Sequence, residues 1–537
     1  MSGQLDILKR VPTFNGDITT DEKARRAASR DASIFEVVPA GIISPRDTDD
    51  IISTVEWAVR MHEQGEPVYF APRVGGTCMS GGSLTQHYIL DLKSHYNYVG
   101  AVNTVARTIR VQSGAMHIDV ENRATEAGLL FAPYTSSRLI CGIGGMIGNN
   151  ASGEKSIKYG ATDRNVGEMK VVIGDGKEYT FGPLSRTELE AKKALPTYEG
   201  EIYRKITALL EQSKSLIASR RTHTVKNAAG YSLWELWDEH EQTFNLARLF
   251  VGAQGTLGVI TEAELKLVKP GRHQRMIVTP ISDLDTLAEV VSTMLHYEPV
   301  TCETFDHFTY ELAEKHFPVE AAKAHVAKGK HIVIMSIFEA DERHETDVLA
   351  GKAKEHLERL GHETFWIEDD ATVESFLLIR RQSFKMLLDY PAPHTRAQAF
   401  LEDTIVPLER YGDFLRRLEA IIHQYDMIYT YAGHIGEGSI RLIPLVNMEA
   451  EGAPEQVMEL ETWVNELVLE FGGSISVDHN DGIIRTPYLE QQFGPEMIEL
   501  FGQVKDIVDP YGIFNPGKKL GGTLEFALEH MIRENAA

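Results

Sequence analysis

Cysteine is scarce: Cys78, Cys141 and Cys302 are the only three in 537 residues. Their number is odd and their spacing scattered, with no CxxC pair. That excludes a disulfide framework, a cysteine zinc site and an iron–sulfur cluster, and it fits a reducing cytoplasm. Positive charge is also short, with 54 Lys+Arg against 78 Asp+Glu and a net charge of −24. Nucleic acid and anionic membranes reward basic patches, so neither is expected as a partner. A local basic pocket for a small carboxylate is not excluded. No apolar run is long enough to span a bilayer, and the opening MSGQLDILKR lacks the apolar stretch of a signal peptide. A cytoplasmic protein is expected, and a peripheral place at a membrane stays open. Low-complexity segments are absent too. The length suggests two or three domains with ample core, and 43% apolar with 25% charged residues is an ordinary composition.

Glycine is concentrated in two places. Phe131 to Gly160 reads FAPYTSSRLICGIGGMIGNNASGEKSIKYG and strings Gly142, Gly144, Gly145, Gly148, Gly153 and Gly160 among Ser, Thr and Asn. It has almost no helical or strand periodicity. Glycine lets backbone come close to a ligand, and successive free N–H groups make concave anion sites. Asn149, Asn150 and Ser152 add side-chain donors. A long loop without structure of its own is unusual unless functional or disordered, and Leu139, Ile140, Ile143, Met146 and Ile147 argue against disorder. The stretch reads as a wall of a cofactor cleft. Ala71 to Leu84, APRVGGTCMSGGSL, lies between the apolar runs Pro67–Phe70 and Tyr88–Leu92, so it is a strand–loop–strand element. It has no GxxxxGK[ST] and no GxGxxG opening a helix, so it is neither a Walker loop nor a Rossmann fingerprint. One such loop alone reads equally well as a turn. Two flanking one αβ unit point to a site.

Taken in order, the chain opens with a polar arm. A helix follows Ser44-Pro-Arg-Asp, with Ile51, Ile52, Val55 and Ala58 at helical spacing, ending at Gly65. Strands are expected near Tyr98–Val102 and Thr108–Val111, a helix at His117–Ala127, and a hairpin over Glu168–Phe181 turning at Asp175-Gly176. Tyr203–Ser219 is read as helix and Phe250–Val268 as two strands. Pro270-Gly271 ends this part. Strands at Met276–Thr279, Ile332–Phe338, near Phe365, at Phe400–Val406 and at Met427–Tyr431 then alternate with helices at Leu284–Leu295, Val348–Leu360 and Tyr411–His423. Strands and helices returning to one sheet suggest an antiparallel, ferredoxin-like layer. The tail after Gly522 is a short helix.

Four stretches carry side chains suited to chemistry. Ser476-Val-Asp-His-Asn-Asp-Gly-Ile-Ile-Arg485 gathers Asp478, His479, Asp481 and Arg485. A histidine can take a proton near neutral pH, and Asp478 or Asp481 could hold its ring; spacing alone favours instead a polar loop with a local salt bridge from an aspartate to Arg485. Tyr431-Ala-Gly-His-Ile-Gly-Glu-Gly-Ser-Ile-Arg441 places His434 in a glycine-rich turn between strands. Glu374 to Leu387 is a helix carrying Arg380 and Arg381, with Lys385 a weaker candidate. Phe514-Asn-Pro-Gly-Lys518 is a turn signal, and Lys226-Asn227 with Gly230-Tyr231 is a further polar motif.

Arg73-Val-Gly-Gly-Thr-Cys-Met-Ser-Gly-Gly, Gly144-Gly-Met-Ile-Gly-Asn-Asn-Ala-Ser-Gly and Val251-Gly-Ala-Gln-Gly-Thr-Leu-Gly-Val-Ile-Thr resemble the FAD-binding domain of p-cresol methylhydroxylase and vanillyl-alcohol oxidase relatives. The resembling branch is that of the flavin-dependent D-2-hydroxyacid dehydrogenases, and the likeness runs from about Ser33 to Leu520. It implies an α+β protein. Residues 1–34 would form an N-terminal arm and 35–270 an FAD-binding domain of two α/β subdomains. Residues 271–470 would form the ferredoxin-like cap, and 471–537 a segment returning to the flavin. It implies FAD contacts from Arg73, Val74, Gly75, Gly76, Thr77, Ser80, Gly81, Pro133, Ser137, Gly142, Gly144, Gly145, Asn149, Ser152, Gly153, Tyr159, Ile260 and Asn515. Thr77 stands where some relatives attach flavin to histidine, so FAD is expected to be non-covalent. His479 falls at the family's base and Arg380 at its carboxylate clamp.

The chain departs from the pattern at a metal site. In several relatives the two histidines of GHxGxGNxH and a glutamate hold a divalent ion. Here His434 is kept, Arg441 replaces the second histidine and Asp478 the glutamate. Arginine has no lone pair for a metal, and two ligands make a poor site, so no metal is expected. Arg441 then either puts a fixed charge where relatives put the ion or merely neutralises Glu437 or Asp478. The implied reaction is oxidation of a small D-2-hydroxyacid of the lactate, glycolate or 2-hydroxyglutarate type. The electron acceptor is open between a quinone, an electron-transfer flavoprotein and a partner subunit, and a homodimer stays open too. Rival readings are a non-redox reaction like that of ether-lipid synthases and a degenerate flavin-binding protein.

Overall fold

In the computed structural model, which describes residues 8–9, 11, 13–324, 326, 332–390, 392 and 394–533, the first sheet takes the order β1-β2-β4-β3. Its strands are β1 Asp17–Thr19, β2 Gly41–Ser44, β3 Phe70–Arg73 and β4 Tyr88–Asp91. The β2–β4 and β3–β4 pairs are parallel, which demands a crossover. The helix Thr48–Glu63 is that crossover, capped by the Asp47 carboxylate and burying Ile51, Val55 and Ala58. Within the stretch read as an arm, Asp17–Thr19 is tied in, because β1 pairs antiparallel with β2.

The second sheet uses β5 Val99–Asn103, β6 Thr108–Gln112, β7 Val166–Val172 and β8 Glu178–Phe181. After a small sheet of β9 Pro183–Leu184, β10 Trp237–Asp238 and β11 Thr243–Asn245, strand β12 Val259–Lys266 inserts between β6 and β7. Along β12, Val259, Thr261, Ala263 and Leu265 are buried and the residues between them are less so, the period of two that a one-sided strand requires. Two expectations change here. Phe250–Val268 holds one strand, because Gly252, Gln254 and Gly255 all adopt positive φ and turn the chain before β12. The second glycine loop contains a short helix, Ile143–Asn149. Its glycines disfavour helix, but Ile143, Met146 and Ile147 bury together at i, i+3 and i+4, and tertiary packing decides.

The cap sheet is antiparallel, in the order β16-β13-β15-β14-β19-β20-β17 with β18 added on β20. Its strands are β13 His273–Ile281, β14 Thr301–Asp306, β15 Ile332–Ala340, β16 Phe365–Ile367, β17 Arg396–Ala397, β18 Thr404–Ile405, β19 Tyr429–Gly433 and β20 Ser439–Val446. Both faces are covered. Ile332, Ile334 and Phe338 of β15 pack with Val290, Met294 and Leu415, whereas Val333, Met335 and Ile337 pack with Phe376, Ile379 and Met386. The architecture is the expected α+β one. Near its end the chain returns to the first sheet, where Phe70 N–H donates to Ile513 and Asn515 N–H to Phe70 at 3.1 and 2.9 Å.

Glu461, on the helix Ala453–Glu470, is buried beside Asn465. Burial, above all, pushes its carboxyl up to about 8 from 4.5. A raised native value means that its contribution to stability is full below about 4.5 and is lost as pH rises through 8. Glu461→Gln should therefore lose less melting temperature than the parent between pH 7 and 9.5, which a pH series of thermal melts reads.

Candidate active site

The first glycine loop lines an open cleft of about 720 Å³. Its floor is the backbone of Val74–Thr77, whose N–H groups donate to no group among the described residues. Gly76 sits at φ +64°, and a Cβ on Gly75 would lie 2.5 Å from the Ile140 carbonyl oxygen. Gly142, Gly144, Gly145 and Asn149 form the opposite wall, with Ile260 at one side. A Cβ on Gly145 would meet nothing within 4 Å and would project into the cleft. Unspent N–H groups facing a wall without side chains fit an FAD diphosphate. Gly145→Val should keep the fold and lose FAD, with occupancy of the purified chain falling at least about tenfold while the apo melting temperature holds; side-chain volume rather than stability is the cause. The ratio of 450 nm to 280 nm absorbance checks it.

A second cleft, of about 1380 Å³, meets the first at Thr77, Gly145 and Asn149. Ser137, Ser152 and Gly153 line it from the cofactor side, and Arg380, His434, Arg441, Asp478 and His479 from the cap side and the C-terminal segment. The helix Asp370–Leu388 delivers Arg380 from its buried face. The β19–β20 hairpin sets His434 and Arg441 side by side, with Ala432 opposite Arg441 and a tight turn at Gly438.

The charges in this cleft are paired in a defined way. His434 Nδ1 lies 2.7 Å from Glu303, and its Nε2 accepts from Arg441 Nη2 at 3.2 Å. Burial, as the first cause, pushes the His434 value down, so the ring is neutral. Arg441 Nη2 also donates to Asp478 Oδ2 at 3.0 Å. On its other oxygen Asp478 accepts from Ser152 and faces Lys226 at 3.4 Å. Burial would raise the Asp478 value, but Lys226, His434 and Arg441 hold it well below the usual carboxylate range. Lys226 pairs in turn with Glu437, whose carboxyl burial pushes up to about 7. Arg441 therefore serves Asp478, and Glu437 belongs to Lys226. Arg381 is committed to Glu154 at 3.0 and 2.5 Å. Arg380 sits 3.0 Å from Glu303 and keeps its buried Nε without an acceptor, as does Arg441.

Several residues stand elsewhere than expected. Neither Asp478 nor Asp481 holds the His479 ring: Asp481 is bound to Lys519 and Gly230 N–H at 2.8 and 2.9 Å, and the ring nitrogen Nδ1 touches Glu402. Arg485 bonds Glu402 at 2.9 Å rather than either aspartate. Ser80, Gly81, Pro133, Tyr159 and Asn515 line neither cleft. The Tyr159 hydroxyl donates to Glu339 of the cap, because Tyr159 ends a one-turn helix that docks there. Asn515 donates to the carbonyls of Gly82 and Gln254 at 2.8 and 2.7 Å, stitching loops together from behind. The Arg73 guanidinium turns away to the carbonyls of Ala28 and Arg30 at 3.1 and 2.6 Å. Gln254 donates to Asn149 and accepts from Gly482 N–H at 3.2 and 2.8 Å, a double role that a carboxylate could not fill because it cannot donate. Glu303, Glu402 and Gln254 were not legible as site residues. Glu303 and Glu402 are single polar residues in ordinary contexts, and all three meet their partners only through the fold, across 77 to 228 positions of chain.

The family "FAD binding domain" matches residues 39–182, and "FAD linked oxidases, C-terminal domain" matches residues 271–519. A D-2-hydroxyglutarate dehydrogenase of Pseudomonas putida is 30% identical over 94% of this chain and 50% of its own length. The chain spans about half the length of that relative and of others of the same name. The glycolate oxidase subunit GlcD of Bacillus subtilis is 26% identical, with 96% of each chain covered. The structure of 4-ethylphenol oxidase from Gulosibacter chungangensis superposes with a TM-score of 0.69 at 15% identity over 97% of each chain, a likeness of fold. No helix of the described residues is long and apolar enough to cross a membrane.

Proposed function

Because this chain belongs to the FAD-linked oxidases, we propose that it oxidises a small D-2-hydroxyacid to the 2-oxoacid. Residues 35–270 would hold FAD without a covalent link, 271–470 would cap the substrate, and 471–537 would complete the site. The observation that carries this reading is the pair of buried guanidinium donors without an acceptor, Arg380 Nε and Arg441 Nε, in the same cleft as His479. Buried donors are almost always satisfied, and a carboxylate is the group that suits two of them.

Arg380 binds and orients the carboxylate. His479 takes the hydroxyl proton at Nε2, the nitrogen not held by Glu402. Arg441, a fixed charge hydrogen-bonded to His434 and Asp478, stabilises the alkoxide oxygen as the proton leaves. Bound FAD supplies the hydride acceptor for C2, and a separate electron acceptor restores it.

Arg380→Met should raise KM for the acid about 10- to 100-fold, the about 1.5–3 kcal/mol of a hydrogen bond to a charged group, with FAD content unchanged. Steady-state kinetics on parent and variant read it. A variant with the parent's KM would remove Arg380 from the substrate and with it the carboxylate reading of the cleft.

A further inference from the structure

The carboxylate on His479 comes from an unexpected element. Glu402 and Asp403 lie just before β18, 77 and 76 positions upstream of His479 by number, and both are buried. Glu402 touches His479 Nδ1 with one oxygen. Its other oxygen accepts from Arg485 Nη2 at 2.9 Å, and its backbone carbonyl accepts from the same nitrogen at 2.6 Å. Asp403 accepts three successive backbone N–H groups, those of Val477, Asp478 and His479, at 2.9, 2.6 and 2.9 Å. It does so at φ +80°, a conformation that a residue with a Cβ holds only when its surroundings over-determine it. The peptide carrying His479 is thus clamped from below while its ring is held from the side.

The charge count points the same way. Two buried carboxylates, Glu402 and Asp403, face one guanidinium, Arg485, so the surroundings of the ring carry more negative than positive groups. The other titratable or charged groups around the ring are Asp478, already balanced by Arg441 and Lys226, and Cys78, whose sulfur lies 3.9 Å from the His479 carbonyl. Beyond Arg485 lies Glu461, neutral at neutral pH. The ligand atoms of Glu402, Asp403 and His479 all lie within 4.8 Å of one another, a spacing that would also suit a cation. Asp403 has already spent its oxygens on peptide N–H groups, and Arg485 supplies the positive charge, so a histidine–carboxylate pair accounts for the geometry better than an ion.

We propose that Glu402 is a positioning residue for His479: it fixes the ring with Nε2 toward the substrate cleft and stabilises the imidazolium formed when the hydroxyl proton arrives, while Asp403 anchors the peptide that carries it. This rests on His479 as the base. The step moves one proton, from substrate oxygen to His479 Nε2, and none to Glu402.

Glu402→Gln keeps size and an acceptor at Nδ1 but removes the charge. In the FAD-loaded variant the rate of flavin reduction should fall about 10- to 100-fold, within the range of a proton-transfer contribution. KM should stay within about threefold, since no substrate-binding group has changed. Losing a nearby negative charge disfavours the imidazolium, so the acid limb of the kcat/KM profile should move down by about one pH unit or more. The His479 resonance in ¹³C-histidine-labelled protein, assigned by its loss in His479→Asn, should titrate lower by the same amount. An unmoved pH profile and unmoved resonance would overturn the proposal, whatever the rate. If Glu402→Gln does not fold, Glu402→Asp decides: it keeps charge and withdraws the carboxylate from Nδ1, so the rate should fall about tenfold, and a parental rate would overturn the proposal. The resonance is read without substrate, so a parent that no 2-hydroxyacid reduces would sink the proposed function yet leave the Glu402–His479 coupling measurable.

Discussion

Flavin reduction in His479→Asn is expected to run about 10² to 10⁴ times slower than in the parent, the usual contribution of a positioned base. Asparagine fills much of the same space and keeps a hydrogen-bonding end, but it cannot take a proton. The peptide at 479 stays clamped by Asp403, and Ser80 still accepts its role as donor to the 479 carbonyl at 2.9 Å, so the fold and FAD content should hold. Dithionite should still bleach the bound flavin, which separates lost proton transfer from lost cofactor. Rapid-mixing absorbance at 450 nm measures it. A variant within about threefold of the parent would remove His479 from the chemistry, since a base contributes far more than that.

Arg441 carries the second large effect. Its Nη2 lies 3.2 Å from His434 Nε2 and 3.0 Å from Asp478 Oδ2, so one cationic nitrogen stands between the two groups that would otherwise point lone pairs at an ion. Arg441→Met leaves Asp478 with Lys226 as its remaining strong partner and takes the fixed charge from the cleft. Reduction should slow about 10² to 10³-fold, as for loss of one preorganised donor at a developing oxyanion. Arg441→His should do something different. It sets a second imidazole beside His434 and Asp478, three ligands of the kinds that bind zinc. That variant is expected to retain about one zinc per chain after dialysis, with the parent retaining none, by elemental analysis. Stoichiometric tightly held zinc in the parent would contradict the view that Arg441 takes the ion's place.

The two glycine loops were legible because their composition is local: glycine beside Ser, Thr and Asn has few uses other than close backbone approach. The cap was legible because strands and helices alternate with clear periods. The helix Ile143–Asn149 was not, since three glycines outweigh the i, i+3, i+4 spacing of Ile143, Met146 and Ile147 until a neighbouring core is known. Its spacing was the available signal. Tyr159 reaches Glu339 of the cap, because a motif does not say which way the side chain of a one-turn helix faces. The role of Lys226 was open in the sequence, and the fold resolves its partners as Ser152, Asp478 and Glu437. Glu402 was invisible for a similar reason. The expected partners of His479 were its chain neighbours, whereas successive side chains in a turn diverge, and the carboxylate that reaches the ring arrives from the segment just before β18.

The most direct test of the account is an anaerobic single turnover of the FAD-loaded chain. D- and L-lactate, glycolate, D- and L-2-hydroxyglutarate and malate are added one at a time, with flavin absorbance and 2-oxoacid both quantified. A D-acid or glycolate is expected to bleach the flavin and to yield one 2-oxoacid per flavin bleached. A flavin that dithionite bleaches and none of these acids does would contradict it.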